Sequence, residues 1–227
     1  MNSILVLTEL DHPHLRQVFD FLDDAEELPK HTVMFYEEPE LARMVAFRFL
    51  KDGLKRGDVC RYDMRVDEED FLDNNDLKSF VEQELQDCGI NTAYYKDKGL
   101  LHLFSYRENH ITDFNSFRKS TEDTHNLLLK QFGSESSFPN WRGIGRPDTN
   151  IKTNDGMAAQ LQIEKYFQED VAARALRNKG TAICTYRLNN IADALDKPEP
   201  WIKELIHSHD AVIYLPSNGN ALALKLG

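Results

Sequence analysis

Residues 31–57, HTVMFYEEPELARMVAFRFLKDGLKRG, decide the fold class. The first six form a short apolar run. After an acidic turn, Leu41, Met44, Val45 and Phe49 recur at helical spacing, with Pro39 in the first turn and Gly57 past the end. The stretch predicts a strand feeding a helix. The pattern then repeats along the chain: a strand at 58–63, an acidic loop, a helix across LKSFVEQELQDCG, a short strand at TAYY and a strand at LLHLFSY. A helix over 113–132, the strand WRGIG, a helix through GMAAQLQIEKYFQEDVAARALRNKG and the strand TAICTY come next. A helix around EPWIKELIHSH, the strand AVIYL and a last strand in ALALKL complete it. Such alternation predicts an α/β fold of three layers, a mostly parallel sheet with helices on both faces. Residues 1–30, with LRQVFDFLDDAEEL as an acidic helix, stand outside this rhythm as a helical extension, either a docking arm or a packed addition to a domain spanning 31–227.

Composition narrows the function. At 227 residues and 41% hydrophobic, the chain can bury the core of one large domain. Its 27 basic and 38 acidic residues give a net charge of −11, and its dense basic patch, Lys51, Lys55 and Arg56, falls in the last turn of a predicted helix. Nucleic acid is therefore not expected as a partner of this chain. Three widely spaced cysteines, Cys60, Cys88 and Cys184, form no CxxC pair and read as reduced thiols. No apolar stretch approaches the roughly 18 residues needed to span a bilayer, and ILVLTEL is too short for a signal peptide. The expectation is a cytoplasmic protein with no membrane partner.

The phrases VCRYDM (59–64) and ICTYRL (183–188) place Cys60 with Tyr62, and Cys184 with Tyr186, on one face of each strand. More broadly, Tyr36, Tyr62, Tyr106, Tyr186 and Tyr214 all close predicted strands. In parallel sheets those ends share one edge, where ligands bind. Five phenols there would supply apolar walls and hydroxyls, with Glu37 and Asp63 beside the first two. A nucleotide-hydrolysing domain would put GxxxxGK[ST] after the first strand. This chain has YEEPEL, whose carboxylates Glu37, Glu38 and Glu40 would repel a phosphate.

Other residues carry weaker signals. The histidines of DHPH (His12, His14) and HSHD (His207, His209) read as surface groups, for lack of a ligand-spaced cluster. Cys60, Cys184 and His31 approach one another only if their strands are near neighbours. Arg142 and Arg146 either face an anionic ligand or pair with acidic surface. Glu164 and Glu169 lie five apart on a predicted helix and need not converge. No Ser-His-Asp order or paired catalytic carboxylate stands out.

The passages HTVMFYEEPELARMVAFRFLKDGLKRGDVCRYDM, GLLHLFSYRE and TAICTYRLNNIADALDKPEPWIKELIHSHDAVIY resemble the MEDS family, the sensory domain named from methanogens, methylotrophs and the regulator DcmR, over about residues 31–216. The resemblance implies a RecA/KaiC-like fold that has lost its phosphate loop, and a sensor of small, hydrocarbon-derived molecules acting in signal transduction or transcriptional regulation. It departs from the family at YRL, where an aspartate is expected after the tyrosine. Gly143 stands where an ATPase strand wants an acid. The expected ligand-binding set is His31, Tyr36, Glu37, Cys60, Tyr62, Asp63, Tyr106, Arg142, Cys184 and Tyr186, with no catalytic residue, no metal and no cofactor. Expected partners are a small-molecule ligand and a signalling protein, with a homodimer left open. The alternatives are a thiol-based redox or metal-binding protein using Cys60 and Cys184, and a pseudo-ATPase interaction module.

Overall fold

The computed structural model describes residues 12–24, 28–64, 74–105, 114–145, 154–169, 179–195 and 197–226. In chain order the elements are α1 (Arg16–Asp23), β1 (His31–Tyr36), α2 (Pro39–Arg56), β2 (Val59–Met64), α3 (Asn74–Asp87), α4 (Thr92–Asp97), β3 (Leu101–Ser105) and α5 (Phe114–Phe132). There follow β4 (Trp141–Gly145), α6 (Asn154–Glu169), β5 (Gly180–Arg187), α7 (Leu188–Ala194), α8 (Glu199–His207), β6 (Ala211–Leu215) and β7 (Leu222–Lys225). The strands make one seven-stranded sheet in the order β3-β2-β4-β5-β1-β6-β7. All neighbours pair in parallel except β7, which runs antiparallel to β6.

Both faces of the sheet are covered. Because every residue of β1 is buried, it reads as a continuous apolar run rather than an alternation. Met34 and Tyr36 face α1, α2 and α3, in a core with Phe47, Phe49, Tyr62 and Ile213. Val33 and Phe35 face α6, α7 and α8, with Tyr186, Trp201 and Leu205. The α2 boundaries follow the sequence, with Pro39 in the first turn and Gly57 at φ 84° receiving the chain in the left-handed region.

One sequence expectation changes, and one of two alternatives is selected. TAYY is not a strand: Asn91 caps α4 by accepting a hydrogen bond from the Tyr94 amide, and this local bond starts a helical turn where β-propensity suggested extension. The described part of the extension is not a free arm. Leu15, Val18, Phe19 and Leu22 are at most 1% exposed, the Ala221 amide donates to the His14 carbonyl, and Arg48 of α2 grips Asp23. Among the described residues, no helix is long and apolar enough to cross a membrane.

Candidate functional site

Parallel register sets the site. β1 opens on His31, which lies opposite Ala182 of β5, so Cys184 sits two residues further along the neighbouring strand and on the same face. On the other side of β1, the chain leaves α8 and turns through Ser208 and His209, and the Asp210 amide donates to the His31 carbonyl as β6 begins. His209 is thereby folded under the sheet beside His31, their rings stacked with centroids 3.9 Å apart. α6 crosses this face and lowers Glu164 between them. Glu164 lies four and seven residues beyond Gln160 and Met157 on the buried stripe of its helix.

Four ligating atoms meet there, all within 4.8 Å of one another. Glu164 Oε2 is 3.0 Å from His31 Nε2 and 3.5 Å from His209 Nε2. Cys184 Sγ is 3.4 Å from His31 Nε2 and 3.6 Å from Glu164 Oε2. The other carboxylate oxygen accepts from the Tyr186 hydroxyl at 2.5 Å and the Gln160 amide at 2.8 Å. Phe167 packs on His31, and Trp201 packs edge-on against Tyr186. The histidine and glutamate side chains are at most 2% exposed.

The outer hydrogen bonds fix the tautomers. His31 Nδ1 lies 3.1 Å from the Ser208 carbonyl, and His209 Nδ1 lies 2.7 Å from that of Leu205. A carbonyl only accepts, so both Nδ1 atoms carry protons and both Nε2 atoms point inward. Burial, with the neighbouring His31, pushes His209 down to about 4, so it is neutral near pH 7. Its Nε2 has no hydrogen-bond partner. Burial also opposes the charge of Glu164, but the His31 hydrogen bond and the fields of the two histidines outweigh it and hold the carboxyl at about 2. Burial and Glu164 push the Cys184 thiol well above its ordinary value, and Tyr186 likewise.

The structure divides the residues expected to line one edge. Tyr36 and Tyr62 pack on the α2 face, whereas Tyr186 and Tyr214 pack on the α6 face. Tyr106 and Arg146 lie outside the described residues. Ending a strand does not fix which face a side chain takes; the two-residue period does. At the carboxyl edge, Glu37 accepts from the Tyr214 hydroxyl and from the Ser217 amide and hydroxyl, so it fastens the turn after β6. Asp63 pairs with Arg61. Arg142 is buried on the α2 face, where its guanidinium holds Asp58 and the Phe49 carbonyl. Cys60 lies beside it, donating to the Leu50 carbonyl, with its thiol pushed up to about 12 by burial.

Cys60 and Cys184 are on strands separated by β4 and on opposite faces. Two strand spacings of about 4.8 Å exceed the roughly 7 Å reach of a disulfide, so the two thiols cannot pair. Of the expected set, His31, Cys184 and Tyr186 come together. The sequence reading missed Glu164 and His209. A position just past a helix end predicts a surface group at His209; the turn back to β6 buries it, while His207 stays exposed. The available signals were a glutamate on the apolar stripe of α6 and a histidine just ahead of a buried strand.

Fold and site together define a RecA-like α/β domain with no glycine–lysine loop after β1 and with His31, Glu164, Cys184 and His209 gathered on the α6 face of its sheet. A KaiC-like protein from the hyperthermophilic archaeon Pyrococcus horikoshii has a similar structure, with a TM-score of 0.52 at 13% identity, covering 87% of this chain and 80% of that one. The chain belongs to the MEDS family, the MEthanogen/methylotroph, DcmR Sensory domain, whose model matches residues 30–217. No curated protein matches it.

Proposed function

We propose that this sensory domain is nonenzymatic and receives a small organic molecule at the His31–Glu164–Cys184–His209 centre, passing its occupancy to a signalling partner. The hydrocarbon-derived ligand class is the one implied by the family resemblance. The observation that carries the reading is the placement of the chemistry. The described ionisable groups with inward-facing lone pairs cluster near the amino ends of β1 and β6, about 17 Å along β1 from Tyr36. At the opposite, carboxyl edge, where a RecA-like domain would hold phosphates, Glu37 is already engaged by Tyr214 and Ser217.

Access is short. A surface groove of ≈ 620 Å³ lies between α6 and α8, lined in part by Gln168 and Ser208. Gln168 donates to the same Ser208 carbonyl that holds His31. Phe167, Tyr186 and Trp201 give the centre apolar walls, and the Tyr186 hydroxyl gives it a polar handle.

Thermal shifts with short alcohols, thiols and halogenated hydrocarbons, beside calorimetry with magnesium and ATP, test the reading. One of the organics is expected to raise the unfolding midpoint of the wild type and to bind Tyr186→Phe about 1 kcal/mol more weakly. ATP is expected neither to bind nor to be hydrolysed. Micromolar ATP affinity, or turnover, overturns the proposal.

A further inference from the structure

We propose that His31, Glu164, Cys184 and His209 bind one divalent late first-row transition-metal ion, with zinc favoured by the donor set. The inference concerns the same centre as the sensory reading but stands on its own geometry.

Lone pairs require something positive between them. Glu164 Oε2 faces His31 Nε2 at 3.0 Å and His209 Nε2 at 3.5 Å, all inside the core. A single proton on His31 would satisfy the first contact and leave His209 Nε2 without a partner, and a buried polar atom in that state is costly. One metal ion satisfies both. Bonds of about 2.0–2.3 Å in a tetrahedral zinc site separate ligand atoms by about 3.3–3.8 Å. Four of the six separations here run from 3.0 to 3.6 Å and all six lie within 4.8 Å, so small side-chain shifts bring the atoms to that spacing.

The surroundings fit as well. Each histidine donates its outer Nδ1–H to a backbone carbonyl, and Glu164 is held through its other oxygen by Tyr186 and Gln160. Outer partners of this kind orient metal ligands. Charge also balances: the Cys184 thiol loses its proton to solvent on binding, and thiolate plus carboxylate neutralise a divalent ion, so the core holds no net charge. Two imidazoles, a thiolate and a carboxylate suit zinc better than magnesium or calcium, which prefer oxygen.

The test uses the untagged full chain, purified without chelator. Mass spectrometry of metals is expected to find about one equivalent of zinc or another late transition metal. Cobalt loaded into metal-free protein is expected to give tetrahedral visible bands and a thiolate-to-cobalt band in the near ultraviolet. Cys184→Ser removes the near-ultraviolet band. Should that variant not fold, Cys60→Ala/Cys88→Ala decides, because Cys184 is then the remaining thiol and the band must persist. No retained metal and no thiolate band in the wild type overturn the inference, as does a band unchanged in Cys184→Ser or lost in the double variant. Wild-type protein that retains no metal, gives no cobalt–thiolate band and still responds to a small organic sinks the metal and spares the sensory reading. Bound metal with no response to any organic does the reverse.

Discussion

At Glu164, burial and charge pull in opposite directions, and the neighbours decide. Two histidines, a tyrosine hydroxyl and an amide are arranged around one carboxylate with almost no exposure. Removing one donor shows how tightly this is tuned. Tyr186→Phe leaves Gln160 alone on Oε1 and should cost about 1–3 kcal/mol of stability in urea unfolding. A neutral result would mean that the hydroxyl is not needed to keep Glu164 in place. Glu37 gives a contrasting case at the surface. Hydrogen bonds from the Ser217 hydroxyl and amide, then from Tyr214, hold its carboxyl below the ordinary value of 4.5. A depressed folded-state value contributes stability above about pH 4.5 that is lost as pH falls below it. Glu37→Gln should therefore lower the unfolding midpoint at pH 7, and the deficit should shrink by pH 3.5. An equal deficit at both values would contradict the assignment. His31, Cys184 and Tyr186 were legible as site residues because strand position and residue type are both local. Glu164 and His209 were not, because helix rotation and a turn bring them in from elsewhere in the chain.

Among the elements, β1 with α2 was readable from apolar spacing and from Pro39 and Gly57, and the structure reproduces both boundaries within a residue or two. The division of the tyrosines shows where such reading stops. Tyr36, Tyr62, Tyr186 and Tyr214 do lie near strand ends, yet face assignment depends on which residue of the strand aligns with the neighbouring strand, and register is a property of the pair. α2 offers a test of its packing against the sheet. A Cβ at Gly53 would lie 2.5 Å from Arg142 Cδ and 2.9 Å from Cys60 Sγ. Arg142 cannot swing aside cheaply, since Asp58 and the Phe49 carbonyl hold its guanidinium. Overpacking of about 1–3 kcal/mol, less a helix-propensity gain of up to about 1, gives an expected net loss of about 1–2 kcal/mol for Gly53→Ala. Denaturant titration measures it. An unchanged midpoint would mean that Arg142 repacks freely and is no strut.

For the whole molecule, the extension and the sheet form one core. Phe19 is fully buried among residues of α2 and the sheet, so Phe19→Ala should cost about 3–5 kcal/mol. Wild-type stability in that variant would make α1 a dispensable arm. The same long-range assembly explains the site. Residues 31, 164, 184 and 209 come from β1, α6, β5 and the turn before β6, and only the strand order β5-β1-β6, capped by α6, brings them together. The central claim is that this buried centre, and not the carboxyl edge of the sheet, is where the domain binds. Anomalous diffraction at the zinc absorption edge, from crystals of the protein as purified, tests it most directly. The account predicts a single peak enclosed by His31 Nε2, Glu164 Oε2, Cys184 Sγ and His209 Nε2; no peak at that point, or a nucleotide bound beside Tyr36 and Glu37, would contradict it.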